Sequence, residues 1–464
     1  MNKLSALLLL CLLDIAGAQP IPDRPEALQF PKLSWQPPRF ERVELPGGAV
    51  LYLVENHELP LVRGKIMFLG GAAHEPAERA GLSALTMHVL RTGGTAEMSA
   101  EELDEALEFV AASIETSADA DRSTLSFDCL SKDFDDVWAM LVDMLEHPRF
   151  QERYIDEKKK QMLEALRREN DQPEQILMRE YRRLLYPDHP YGRRTDGEEK
   201  TIAALSRDDL LAWHKQLLSP SRMLVGVAGD FDARDIKRRV RQLAENWPYR
   251  TVALPAVPPL PQPKEGLFIF EKPIAQTSLI LAHRGPARPY PDYHAVQVMS
   301  FILGGGSFSR LTDSVRTKGG LAYGVASFFA YGYKRGVFGA WCQTKPTTSY
   351  RAGELILSEI ERIRRGRRPP RAATGQRLAG QCFIFRSGSL TSTWAISRSW
   401  RCTARVQFLD DYMDRIQRVT AADVRRVAEK YLHPDRLLML YVGDSWPLRP
   451  TPARLPTGRD RGET

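Results

Sequence analysis

Hydrophobic positions along the chain fall into short apolar or alternating runs, separated by longer stretches with helical period. Residues 49–55 and 61–68 read as strands, rich in Val, Leu and Phe and bounded by Pro, Gly and Asn. Residues 81–91 and 101–112 carry apolar side chains three and four apart, the stripe of an amphipathic helix. Residues 123–129 predict another strand, and 134–146 and 153–170 two further helices. After residue 264 the order returns, with strands at 267–271 and 277–283, a helix at 292–303, a strand at 337–344 and a helix at 350–364. Strands in hairpin-like runs with helices segregated between them predict α+β architecture, an antiparallel-rich sheet with helices packed on it, rather than a doubly wound α/β fold.

The recurrence extends to individual residues. Asp209 and Asp423, Pro220 and Pro434, and Gly229 and Gly443 are each separated by 214 positions. Each copy has Ser206 or Thr420 three residues before an Asp, a capping-box pattern with Asp in place of the usual Glu. An amphipathic helix, a Pro break and a strand ending in Gly-Asp (Asp230, Asp444) follow in both. Such a match means duplication of one domain. It predicts an N-terminal domain over 38–250, a linker over 251–264, a C-terminal domain over 265–446 and a tail over 447–464. The stretch 255–264 holds five prolines.

The length of 464 residues suits two domains, and 43% hydrophobic with 27% charged residues is a globular composition. Lys3, the apolar run of residues 4–13 and Ala16-Gly17-Ala18 predict a signal peptide over 1–18, with Gln19 as the mature start. The run falls short of the roughly 20 residues that span a bilayer, and Asp14 interrupts it. A retained anchor is the alternative. The expectation is an exported chain, periplasmic or secreted, without a membrane span. Cys11 leaves with the leader, while Cys129, Cys342, Cys382 and Cys402 have no C-x-x-C spacing. Neither a zinc ribbon nor a redox pair is indicated, and buried free thiols are expected.

Charge changes the picture only locally. Residues 362–405 hold eleven arginines and no acidic residue, a charge of +11 against a chain total of +7, which leaves −4 elsewhere. A solvated helix face or a locally aberrant reading frame accounts for this better than a polyanion site, because no nucleic-acid motif accompanies it. No nucleic-acid partner is expected.

Candidate chemistry lies on the helix at 81–91. An extended strand, Gly71, a Glu-containing turn and this helix, ending in Gly93 and Thr95, resemble the insulinase/pitrilysin family of zinc metallopeptidases. The mitochondrial processing peptidases and two-domain bacterial enzymes belong to it. The family signature at this helix is H-x-x-E-H, two zinc ligands with a general base between them. Here those positions read Ala84, Met87 and His88. The resemblance places a third ligand in an E-x6-E helix, and Glu157 and Glu164 have that spacing, Glu164 standing 76 positions after His88. Catalytic zinc takes three protein ligands. The resemblance therefore implies a degenerate site with no metal expected in this chain. Losing a general base alone costs about 10²–10⁴ in rate. Read without the family, His88 is a hydrogen-bonded helix-face histidine and Glu164 a solvated one. His57-Glu58 and His74-Glu75 lack a second histidine at metal spacing.

The second copy keeps a different pattern. Gly304, Gly305 and Gly306 precede Arg316 and Tyr323, which are seven apart. This resembles the family's non-zinc half, where the resemblance implies that the pair grips substrate and stabilises the transition state. A guanidinium and a phenol both donate hydrogen bonds to a developing oxyanion. Taken alone, Arg316 is a surface charge and Tyr323 a core-edge aromatic. The likeness runs from about residue 38 to 446 and is weakest over 367–405. It implies the non-zinc subunit of a heterodimeric exported peptidase, inactive alone. The partner would be a homologous chain with an intact H-x-x-E-H and the zinc, and the substrate an extended peptide. The alternative is a catalytically inert peptide-binding or scaffold protein.

Overall fold

The computed structural model describes residues 38–249, 251–287, 290–332, 335–366, 375, 376, 380 and 407–444, all within the compact unit Pro37–Thr464. The signal-peptide segment, the tail and most of the arginine-rich stretch, with Cys11, Cys382 and Cys402, lie outside these residues.

In chain order the first half runs β1 (Glu41–Glu44), β2 (Val50–Glu55), β3 (Leu61–Leu69), α1 (Leu82–Thr92), α2 (Ala100–Phe109), β4 (Ser113–Ala118) and β5 (Arg122–Leu130). There follow α3 (Phe134–Glu146), α4 (Glu152–Glu169), α5 (Pro173–Leu185), α6 (Glu199–Ala204), α7 (Arg207–Leu217), β6 (Met223–Gly229) and α8 (Ala233–Glu245). The second half has β7 (Gly266–Glu271), β8 (Thr277–Gly285), α9 (Tyr293–Gly304), a π-helical turn (Thr312–Lys318), β9 (Ala322–Tyr331) and β10 (Gly336–Thr344). It continues with α10 (Ser349–Arg364), α11 (Gln407–Gln417), α12 (Ala421–Tyr431) and β11 (Leu438–Gly443).

The duplication is visible in topology. One sheet has the order β1-β2-β6-β3-β5-β4, the other β7-β11-β8-β10-β9. Apart from the additional β1, the two orders correspond strand for strand. Each sheet has one parallel pair, β2 with β6 and β7 with β11, and is otherwise antiparallel. Every residue of β6 and β11 is buried, which explains their near-continuous apolar sequences. Both capping boxes form: Ser206 and Asp209 exchange side-chain and backbone hydrogen bonds before α7, and Thr420 and Asp423 do so before α12. Cys129 and Cys342 are buried free thiols, and burial pushes each up to about 12.

Three strands went unread in the sequence: β1, β4 and β9. All three end a sheet. A terminal strand buries little, as in β4 where Ile114 alone is fully covered, so the pattern that betrays a strand is weak there.

The halves share a core. Ile176, Leu177 and Tyr181 of α5, a first-half helix, pack with Ile280 and Ala282 of β8 and Leu438, Leu440 and Val442 of β11. The linker has no regular structure, yet it is stitched down. Arg222 Nη1 donates to Val252 O at 2.9 Å, His74 Nδ1 to Pro255 O at 2.7 Å and His189 Nε2 to Pro258 O at 3.1 Å. Leu254 packs on the first core, and Val257 and Leu260 on the shared cluster.

Candidate functional site

α1 starts on a glycine. Gly81 adopts φ 97°, a left-handed conformation that lets the chain turn into the helix. Its first turn is satisfied from outside: the buried Glu75 carboxylate accepts from the backbone N–H of Gly81 at 2.9 Å and from that of Ser83. Burial pushes Glu75 up to about 7 against these hydrogen bonds. The residue rejected as part of a metal motif thus acts as a side-chain cap. A glutamate preceding a helix by several residues carries no short-range capping signal in the sequence.

On α1, Met87 is fully buried and its side chain belongs to the first core, while Ala84 packs at the edge of that core. His88 is half-buried. Burial, followed by the charges of Lys158 and Arg91, depresses its pKa to about 4, so it is a neutral imidazole at physiological pH. α4 lies beside α1, but Glu157 and Glu164 are on its exposed side. Glu157 pairs with Arg153 at 3.1 Å and Glu164 with Arg167 at 2.9 Å. The α4 charge that reaches His88 is the ammonium of Lys158. The structure therefore does not bring Glu164 to His88 as the spacing suggested, because α4 turns a neighbouring residue toward α1.

These residues do not fit zinc. Ala84 offers no donor, the Met87 side chain is committed to the core, and the carboxylates of α4 face solvent with arginine partners. Among the described residues, no group of three or more His, Cys, Asp or Glu could hold a metal ion.

In the second half, α9 ends against β9, where a Cβ on Gly304 would meet Ser327 N at 2.3 Å; only glycine fits that approach. The exposed loop Gly305–Phe308 leads into the π-helical turn, which buries Val315 and leaves Arg316 outside. Gly320 N donates to the Arg316 carbonyl at 3.0 Å, and the φ of +63° at Gly320 reverses the chain into β9. This reversal brings the predicted pair together. The Arg316 guanidinium lies 5.5 Å from the centre of the Tyr323 ring, and Tyr323 is 82% exposed. Among the described residues neither side chain has a hydrogen-bonding or ionic partner, so both retain free donors. Phe308, equally exposed, stands at the end of the preceding loop. The sequence gives no signal for it, since a lone aromatic after glycines has no periodicity to place it.

Two homologous α+β halves, one with a degenerate metal helix and the other with an Arg/Tyr pair, define a metallopeptidase-type fold with no complete metal centre among the described residues. Family models agree. The model described as insulinase (peptidase family M16) matches residues 52–198, and that described as peptidase M16 inactive domain matches residues 204–372. The chain belongs to this family. An uncharacterised zinc protease of Streptomyces coelicolor is 26% identical over 84% of this chain and 87% of its own length. A non-peptidase homolog of Helicobacter pylori is 25% identical over 66% of this chain and 71% of its own. The crystal structure of a peptidase M16 inactive domain from Pseudomonas fluorescens superposes with a TM-score of 0.81 at 26% identity, covering 87% of this chain and 98% of that one.

Proposed function

We propose that this chain is the zinc-free subunit of an exported two-chain peptidase, in which Arg316 and Tyr323 act on a peptide held against a homologous partner. The partner would carry the intact H-x-x-E-H and the zinc. The observation that carries this reading is the Arg316/Tyr323 pair itself: two donors, stacked, exposed and, among the described residues, otherwise unengaged. Stacking fixes the guanidinium relative to the phenol, which lowers the cost of ordering both around a substrate carbonyl. β9, whose second residue is Tyr323, is a terminal strand among those described, and its outer edge suits an extended peptide added as a further strand. The leader pattern of residues 1–18 supports export. Among the described residues, no helix is long and apolar enough to cross a membrane.

The test is kinetic. The chain is co-expressed with a homologous chain bearing an intact H-x-x-E-H, and kcat/KM of the pair is compared between wild type and Tyr323→Phe. A fall of about 10²–10³-fold with association preserved is expected, by analogy with losing one oxyanion donor. Unchanged kinetics would favour the second reading, an inert peptide-binding or scaffold protein. That alternative draws on the likeness to a relative named a non-peptidase homolog.

A further inference from the structure

Helical phase decides which side chains of α4 meet α1. Ile155 and Met162 of α4 are buried in the first core. Lys158 follows the one by three residues and precedes the other by four, so it stands on the same stripe. Glu157 and Glu164 are each one residue out of phase with Lys158 and Ala165, a rotation of about 100° on a helix with 3.6 residues per turn. Ala165, seven residues after Lys158, shares its face and offers no donor. Lys158 is half-buried, and among the described residues its ammonium has neither a hydrogen bond nor an ion pair. Its charge acts on His88, and that of Asp196 acts on it.

We propose that Lys158 actively bars divalent metal from this locus, so that replacing the missing ligands would not by itself restore a zinc site. Two of the positions concerned lack donors passively, Ala84 and Met87, while Glu164 is turned to Arg167. Lys158 differs in kind, because it sets a fixed positive charge beside the one imidazole that remains. In a partly desolvated setting, repulsion between an ammonium and a dication is much stronger than in water. The inference rests on the reading of this chain as the zinc-free half, but its test needs no partner.

Ala84→His places two imidazoles four residues apart on one face of α1, a spacing that binds divalent metal. Met87 is left alone, so the core is not disturbed. The purified full-length chain is titrated with zinc against a chromophoric chelator as Ala84→His, Ala84→His/Lys158→Ala and Ala84→His/Lys158→Arg, with thermal melts to verify folding. Removing the lysine is expected to tighten zinc binding by at least about tenfold, whereas arginine should leave it as weak as lysine does. If Ala84→His does not fold, Ala165→Glu, at a solvent-accessible position on the same face of α4 as Lys158 and paired with the native His88, provides the same three-way comparison. Equal affinity with and without Lys158, or no zinc bound by any variant, would overturn the proposal. Neither result bears on the Tyr323→Phe kinetics, so the two readings can fail separately.

Discussion

The Arg335 guanidinium lies 4.1 Å from the centre of the Tyr191 ring, joining the hairpin between β9 and β10 to the first half of the chain. Asp121 completes the contact, accepting a hydrogen bond from the Tyr191 hydroxyl at 2.6 Å and standing 3.8 Å from Arg335 Nε. Arg335→Ala should therefore weaken the union of the two halves. A loss of about 1–2 kcal/mol is expected, the range of a partly desolvated cation–π contact. The midpoint of urea unfolding, compared at constant slope, measures it. A drop below about 0.3 kcal/mol would mean that the contact is ornamental.

Asp292, at the start of α9, is held by three donors: Arg426 Nη1 at 2.7 Å, Lys430 Nζ at 2.8 Å and the Tyr431 hydroxyl at 2.8 Å. These partners on α12 pull its pKa down to about 2 against the effect of burial. A carboxylate depressed in the folded state stabilises above its unfolded pKa of about 3.9 and loses that contribution as pH falls toward about 2. Asp292→Ala should cost about 1–3 kcal/mol at neutral pH. It should also flatten the acid limb of the stability curve between about pH 4 and 2, as followed by circular dichroism.

The two capping boxes permit an internal control. Ser206→Ala and Thr420→Ala delete the same cap in the two copies, and each should cost about 1 kcal/mol. Differential denaturation would show whether the duplicated units still have equal helix starts. A difference of more than about 1 kcal/mol would mean that the surrounding packing has diverged more than the caps.

His57, exposed between Glu55 and Asp230, has a raised pKa, first through its hydrogen bond to Asp230. A raised histidine stabilises below its unfolded pKa of about 6.5 and loses that contribution as pH climbs through the folded value. Proton resonances of the imidazole should titrate above the usual value in wild type. In Asp230→Asn they should move back toward it, and no movement would separate His57 from Asp230 in solution.

What the sequence revealed and what it hid follow one rule. Strands with a buried face, such as β3 and β8, announced themselves, and the repeat located β6 and β11 through their glycine and aspartate ends. β4 and β9 did not, because a terminal strand needs only one covered face and can be polar elsewhere. The candidate site divides in the same way. Arg316 and Tyr323 were legible because a turn fixes residues close in the chain. The partner that α4 offers α1 was not, since a one-residue change of phase on a long polar helix selects Lys158 over Glu157 and leaves spacing arguments almost untouched. Burial of Ile155 and Met162 was the signal that could have set that phase.

The passage of α5 onto the second sheet makes the duplication interlocked rather than serial. A cut in the proline-rich linker, near Pro259, would break one covalent strand but not the apolar seam through Leu177 and Leu440. Nicked protein should migrate as a single species until denatured. Two separately produced halves should complement each other, whereas the second half alone would display a bare sheet face and self-associate. During synthesis the dependence runs in one direction: the helix that covers the later sheet is made first, so the second half folds onto a template that the first has already supplied.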